Sequence, residues 1–179
     1  MVACQLFQAI VASLMIGVSF SAPLFKREAA TVLSDLDTIS KNLALLDSNI
    51  LNFDGSRSDT IPLSDSTWTV MRDLNKTILD TNKSATFDPT DSVTVTEASV
   101  ALEPMILRSL NDISAKHSKL VSANQGGVAF ARLESLRTLT DQLARALEQK
   151  VTATNASNIA SVTSDVDSAY SSAIALYMT

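Results

Sequence analysis

AATVLSDLDTISKNLALLDSNI, residues 29–50, sets Val32, Leu36, Ile39, Leu43, Leu46 and Ile50 at steps of four and three, and Phe53 continues the series. On a helix those positions share one face, whereas a strand would divide them between two. Aspartates, serines and a lysine fill the gaps, so the opposite face suits water. Such a helix needs neighbours to cover its apolar stripe.

The rest of the chain supplies them. Asp54-Gly55 closes the first helix, and DGSRSDT at 54–60 reads as a polar loop. A second helix, capped at Ser64 or Asp65, carries Trp68, Met71, Leu74, Ile78 and Leu79. SATFDPTDSVTV at 84–95 reads as a loop, with Pro89 barring a continuous helix. Thr96 or Ser99 caps a third helix bearing Val100, Ile106, Leu110, Ile113 and Leu120, which Pro104 either starts or bends. Gly126-Gly127 separates a fourth, with Leu133, Leu136, Leu139, Leu143, Leu147 and Val151. The fifth opens near Thr154 or Asn155 and carries Ile159, Val162, Val166, Ala169, Tyr170, Ala173, Leu176 and Tyr177. Only SVTVT at 92–96 hints at a strand. The expected fold is all-α, an antiparallel bundle of about five amphipathic helices with short connections.

Upstream of the bundle, LFQAIVASLMIGV at 6–18 is apolar apart from Gln8 and Ser13. It is shorter than the roughly 20 residues of a membrane span and suits the core of a signal peptide, with cleavage expected after Ser21. Lys26-Arg27 then reads as a dibasic processing site, making 22–27 a short pro-segment and 28–179 the single working domain. The expected location is therefore outside the cell, in the medium or the wall. No transmembrane segment is expected in the mature chain.

The chain holds 14 basic and 19 acidic residues, for a formal charge of −5; without Lys26 and Arg27 the balance is 12 − 19 = −7. An acidic chain with no basic cluster argues against nucleic acid as a partner. Its single cysteine, Cys4, lies in the presumed leader, so the mature domain must hold together without disulfides. Sequons stand at Asn75, Asn82 and Asn155. Asn75 falls between Trp68 and Met71 in the apolar arc of the second helix, so Asn82 and Asn155 are the expected glycan sites.

Nothing in the chain composes a catalytic centre. With one histidine, a two-histidine metal site cannot be built, and no cofactor motif occurs. No Gly-x-Ser-x-Gly elbow is present to pair with His117. The carboxylates Asp35/Asp37 and Asp165/Asp167 are two apart and point to different sides of a helix. His117 keeps step with the third stripe, either as a half-buried rim residue between Lys116 and Lys119 or as a contact for a ligand carboxylate. The expectation is a binding protein, not an enzyme.

EPMILRSLNDISAKHSKLV (103–121), LESLRTLTDQLARALEQKV (133–151) and SDVDSAYSSAIALY (164–177) resemble the fungal hydrophobic surface-binding protein A family, which includes cell-wall galactomannoproteins. The leader, the dibasic pair and the 29–50 helix match it too, so the resemblance spans residues 28–178. It implies a secreted helical bundle that adsorbs to hydrophobic surfaces, and some members hold long-chain fatty acids between their helices. It supplies no catalytic residue, and His117 stands where another lysine is expected.

Under that implication the ligand lies along the apolar seam, formed by Leu36, Ile39, Leu43, Met71, Leu74, Ile106, Leu110, Ile113, Leu136, Leu143, Val162 and Val166. Thr140 is either a polar contact for a head group or bonded back to its own helix. Burying about ten methylenes at ~0.8 kcal/mol each yields ~8 kcal/mol, against an association cost of at least ~4 kcal/mol. Millimolar to micromolar binding follows. The same stripes could instead pack shut, leaving a structural wall glycoprotein held to polysaccharide through its glycans.

Overall fold

The computed structural model describes residues 22–178. They form seven helices and, among the described residues, no strand: α1 (Ala22–Asn52), α2 (Arg57–Lys83), α3 (Pro89–Val100), α4 (Glu103–Ala115), α5 (His117–Ser122), α6 (Gly126–Glu148) and α7 (Ala153–Tyr177). The expected signal peptide lies outside the described residues. Lys26 and Arg27 fall inside α1, which begins ahead of them.

Helix contacts close into a ring: α1 packs on α2, α2 on α6, α6 on α7, and α3 and α4 bridge α7 back to α1. Five rods therefore surround one core, as the stripes require, and α3, α4 and α5 together make the third rod. The 29–50 stripe is its spine. Val32 and Phe53 are wholly buried, and Leu36, Ile39, Leu43, Leu46 and Ile50 are buried with them.

The departures from expectation sit at the helix starts. Gly55, at φ +103°, turns the chain after α1, and α2 begins at once instead of at Ser64 or Asp65. The Ser56 hydroxyl accepts the Asp59 N–H at 3.3 Å, so DGSRSDT is mostly the first turns of a helix and not a loop. Pro62 is tolerated inside that helix near its start, where few hydrogen bonds depend on it. Residues 89–95 are likewise helix and not loop. Asp88 caps α3 by accepting the N–H groups of Thr90 and Asp91, each at 2.9 Å, and Pro89 fills the first turn that proline favours. Pro104 plays the same part in α4, which decides between a start and a bend in favour of a start.

Two lysines tie off helix ends across the bundle. Lys116 Nζ donates to the Leu51 and Phe53 carbonyls at the end of α1, at 2.6 and 2.9 Å. Lys150 Nζ does so for Asn82 and Ser84 at the end of α2, at 3.3 and 2.6 Å. Cations suit these carbonyl-rich ends. Three of the four carboxylates that come in pairs two residues apart carry ion pairs. Asp35 pairs with Lys76, Asp37 with Lys41, and Asp167 takes the Arg137 guanidinium in a two-pronged grip that joins α6 to α7.

One carboxylate is held at a cost. Burial between α1 and α4 raises the Asp47 pKa, and the nearby Asp112 adds to the rise, against the pull of Ser109 and Arg108. A folded pKa above the unfolded one means the folded state favours the proton. Stability therefore falls as pH climbs from the usual carboxylate range through the folded value. Asp47→Asn is expected to raise the melting temperature at pH 7 and to lose that advantage near pH 4, as thermal melts at the two values will register.

Candidate ligand cavity

The ring leaves two apolar hollows along its axis, of about 80 and 50 Å³. The first lies among α1, α2, α4 and α6. Its floor is Leu43, Leu46, Ile50, Leu110, Ile113, Leu133 and Leu136, and its rim carries Thr60, Ser64, Gln125, Val128 and Arg132. The second lies among α1, α2, α4, α6 and α7, with Ile39, Leu74, Leu143, Val162 and Val166 in its wall. Leu43, Ile106 and Tyr170 belong to both walls and so form the partition between them.

Tyr170 is the only aromatic member of that partition and is 4% exposed. Burial pushes its phenol up to about 12, while a hydrogen bond with Thr140 pulls the other way. A buried phenol needs such a partner, and Thr140 on α6 shares the wall of the second hollow with it. Thr140 makes no hydrogen bond back to its own helix among the described residues, and it stands in that wall.

At the rim, the Arg132 guanidinium carbon lies 3.7 Å from the centroid of Trp68. Its Nη1 donates weakly to Met71 Sδ at 3.9 Å. Trp68 itself is 53% exposed, so its expected place on the inner stripe of α2 is wrong. The buried face of α2 runs instead through Leu63, Thr67, Val70, Leu74, Thr77 and Thr81, with small polar residues where apolar ones were sought. Asn75 consequently faces solvent together with Asn82, and Asn155 is half-buried; Asn75 has no place in an apolar arc.

Hydrophobic surface binding protein A is the family whose model matches, over residues 29–149. The chain belongs to that family. It is 35% identical to the protein in the crystal structure of AFMP4P in complex with palmitic acid, at a TM-score of 0.82 over 83% of this chain and 99% of that one. The fold is also that of ligand binding domain 1 of Penicillium marneffei MP1 protein complexed with arachidonic acids. There identity is 15% and TM-score 0.77 over 83% of this chain and 98% of that one. Domain 2 of the same protein, complexed with multiple arachidonic acids, shares 14% identity at a TM-score of 0.73, over 90% of this chain and 98% of that one. Among curated proteins none matches by sequence.

Within this member of the surface-binding family, the expected seam residues divide between the hollows. Leu110, Ile113 and Leu136 line the first; Ile39, Leu74, Thr140, Leu143, Val162 and Val166 the second; Leu43 and Ile106 both. Leu36 and Met71 line neither. Leu36 is sealed in the core, and Met71 packs from the edge beside Arg132. His117 also lines neither hollow: its ring meets Tyr177 edge-on at 4.9 Å, and the Tyr177 hydroxyl donates to the Ile113 carbonyl at 2.7 Å. The expected seam left out Phe53 and Tyr170, although both stand on expected stripes, and the rim residues Gln125, Val128 and Arg132. For Arg132 a signal existed, because it precedes Leu136 by four and so shares its face. No cluster of metal-ligating side chains occurs among the described residues. Nor is any helix there long and apolar enough to cross a membrane.

Proposed function

We propose that this protein is a secreted fungal wall or matrix protein that takes up long-chain fatty acids or similar amphiphiles in its axial hollows. The observation that carries the reading is the pair of apolar chambers inside a five-rod ring, in a chain 35% identical to one crystallised with palmitic acid. An apolar cavity of about 150 Å³ accommodates benzene. Chambers of about 80 and 50 Å³ each admit only part of a long tail, so a ligand enters by parting side chains. That cost moves affinity toward the weaker, millimolar end of the range allowed by the methylenes buried.

Processing at Lys26-Arg27 is part of the same proposal. Two residues later Ala29 is buried, and Glu28 accepts the Ala85 N–H at 2.9 Å. A cut after Arg27 leaves every one of those contacts in place. Glycosylation at Asn75 and Asn82 is compatible with their exposure. Native mass spectrometry of protein from culture medium, repeated after denaturation, tests these points together. The expected result is a chain beginning at Glu28, carrying sugars and releasing a lipid. Protein that starts at Met1 and releases nothing, with no saturable uptake of a fluorescent fatty acid, would end the proposal.

Adsorption to apolar surfaces is a second reading favoured by a separate feature. Ile61, Trp68 and Leu79 are 62%, 53% and 58% exposed and fall along one line of α2 at 100° per residue. Large apolar side chains aligned on an outer face suit contact with an interface. Depletion of the protein from solution by hydrophobic beads tests it.

A further inference from the structure

We infer that Arg132 seats the carboxylate of the bound amphiphile, fixing the head at the α2–α6 rim and the tail toward Tyr170. The inference rests on the carrier reading and adds a direction to it. Arg132 is half-buried, lines the first cavity and forms no ion pair among the described residues. A guanidinium has five N–H donors, and among the described residues Nη1 alone has an acceptor, the weak thioether of Met71.

Geometry selects what can fill them. With its carbon 3.7 Å from the Trp68 centroid, the guanidinium is held against the indole. The indole offers no oxygen acceptor, so the guanidinium keeps an N–H edge to give. That edge matches the two oxygens of a carboxylate. The indole also fixes the side chain before a ligand arrives, which lowers the entropic cost of the contact. Ser64 and Gln125 line the same rim, and neither side chain has a hydrogen-bond partner among the described residues. Behind the rim the wall is almost wholly apolar as far as Tyr170. A molecule with one anionic end and one saturated tail fits that polarity; a neutral oil leaves the donors unanswered.

The test compares laurate with 1-dodecanol, which share a tail and differ in the charge of the head. Wild-type protein is expected to prefer laurate. Arg132→Gln should weaken laurate about ten- to a hundredfold, the size of a lost hydrogen bond to a charged group, and leave dodecanol within about twofold. Retained dodecanol binding also reports that the variant is folded. In the unaltered protein, the Arg132 side-chain N–H resonance should shift on adding laurate and stay in place with dodecanol. Equal losses for both ligands would make Arg132 a latch between helices, and unchanged laurate binding would put the head elsewhere; either result overturns the seat alone. Wild-type protein that binds neither compound overturns the carrier reading and the seat together.

Discussion

Tyr170→Ala is expected to join the two chambers and to remove a ceiling on ligand length. In the wild type the Tyr170 ring, with Leu43 and Ile106, stands between hollows of about 80 and 50 Å³. Affinity across a series of saturated fatty acids should rise with each added carbon until the tail meets that ring, then level off. Without the ring the gain should persist at up to ~0.8 kcal/mol per methylene, roughly fourfold each. The variant will be less stable by about 3–5 kcal/mol, as large aromatic truncations in cores are. Tyr170→Leu keeps enough volume to fold while still clearing the axis. Tyr170→Phe removes only the bond to Thr140 and should keep the wild-type length profile. Identical profiles in all the variants would show that the tail never reaches the partition.

How far the sequence foretold this arrangement follows from what decides each piece. α1 was legible because its stripe is unbroken and built from large aliphatic residues, each with one low-energy place to go. α2 was harder. Its inner face is Ser66, Thr67, Thr77 and Thr81 as much as Val70 and Leu74, and its one aromatic residue, Trp68, points outward to meet Arg132. Hydropathy counted those threonines as surface, yet Thr67 and Thr77 satisfy their hydroxyls on carbonyls one turn back, at 2.7 and 2.8 Å, and are then free to pack. The starts of α2, α3 and α4 turned on local rules that were read too weakly: a serine cap at Ser56, and prolines in first turns at Pro89 and Pro104. The walls of the cavities were visible as stripes. Two partition residues, Leu43 and Ile106, stood on those stripes as well. The rim did not, since it depends on pairs from different helices such as Arg132 with Trp68. Such pairs leave no periodic trace in the chain.

Ala129→Leu is expected to separate uptake from adsorption. Ala129 lines the first cavity on α6, one turn before Leu133, and is buried. Three added carbons would occupy much of a hollow of about 80 Å³ that holds no side chain now. A tail denied three or four methylenes loses ~3 kcal/mol, about a hundredfold in affinity. Filling a void need not strain the fold, so the melting temperature should hold or rise, provided the leucine keeps a common rotamer. Adsorption to beads depends on the outer line of α2 and should not change. The reciprocal variant, Ile61→Ser with Leu79→Ser, leaves both cavity walls and the Trp68–Arg132 contact intact; it should weaken bead adsorption and spare fatty-acid binding. If Ala129→Leu abolishes adsorption as well, the protein meets surfaces by opening its ring and presenting its core, and the α2 line is incidental. If it abolishes neither, the hollow is a packing gap and the tail lies somewhere else. Only loss of uptake with adsorption kept supports two sites in one bundle, an interior for single amphiphiles and an outer face for interfaces.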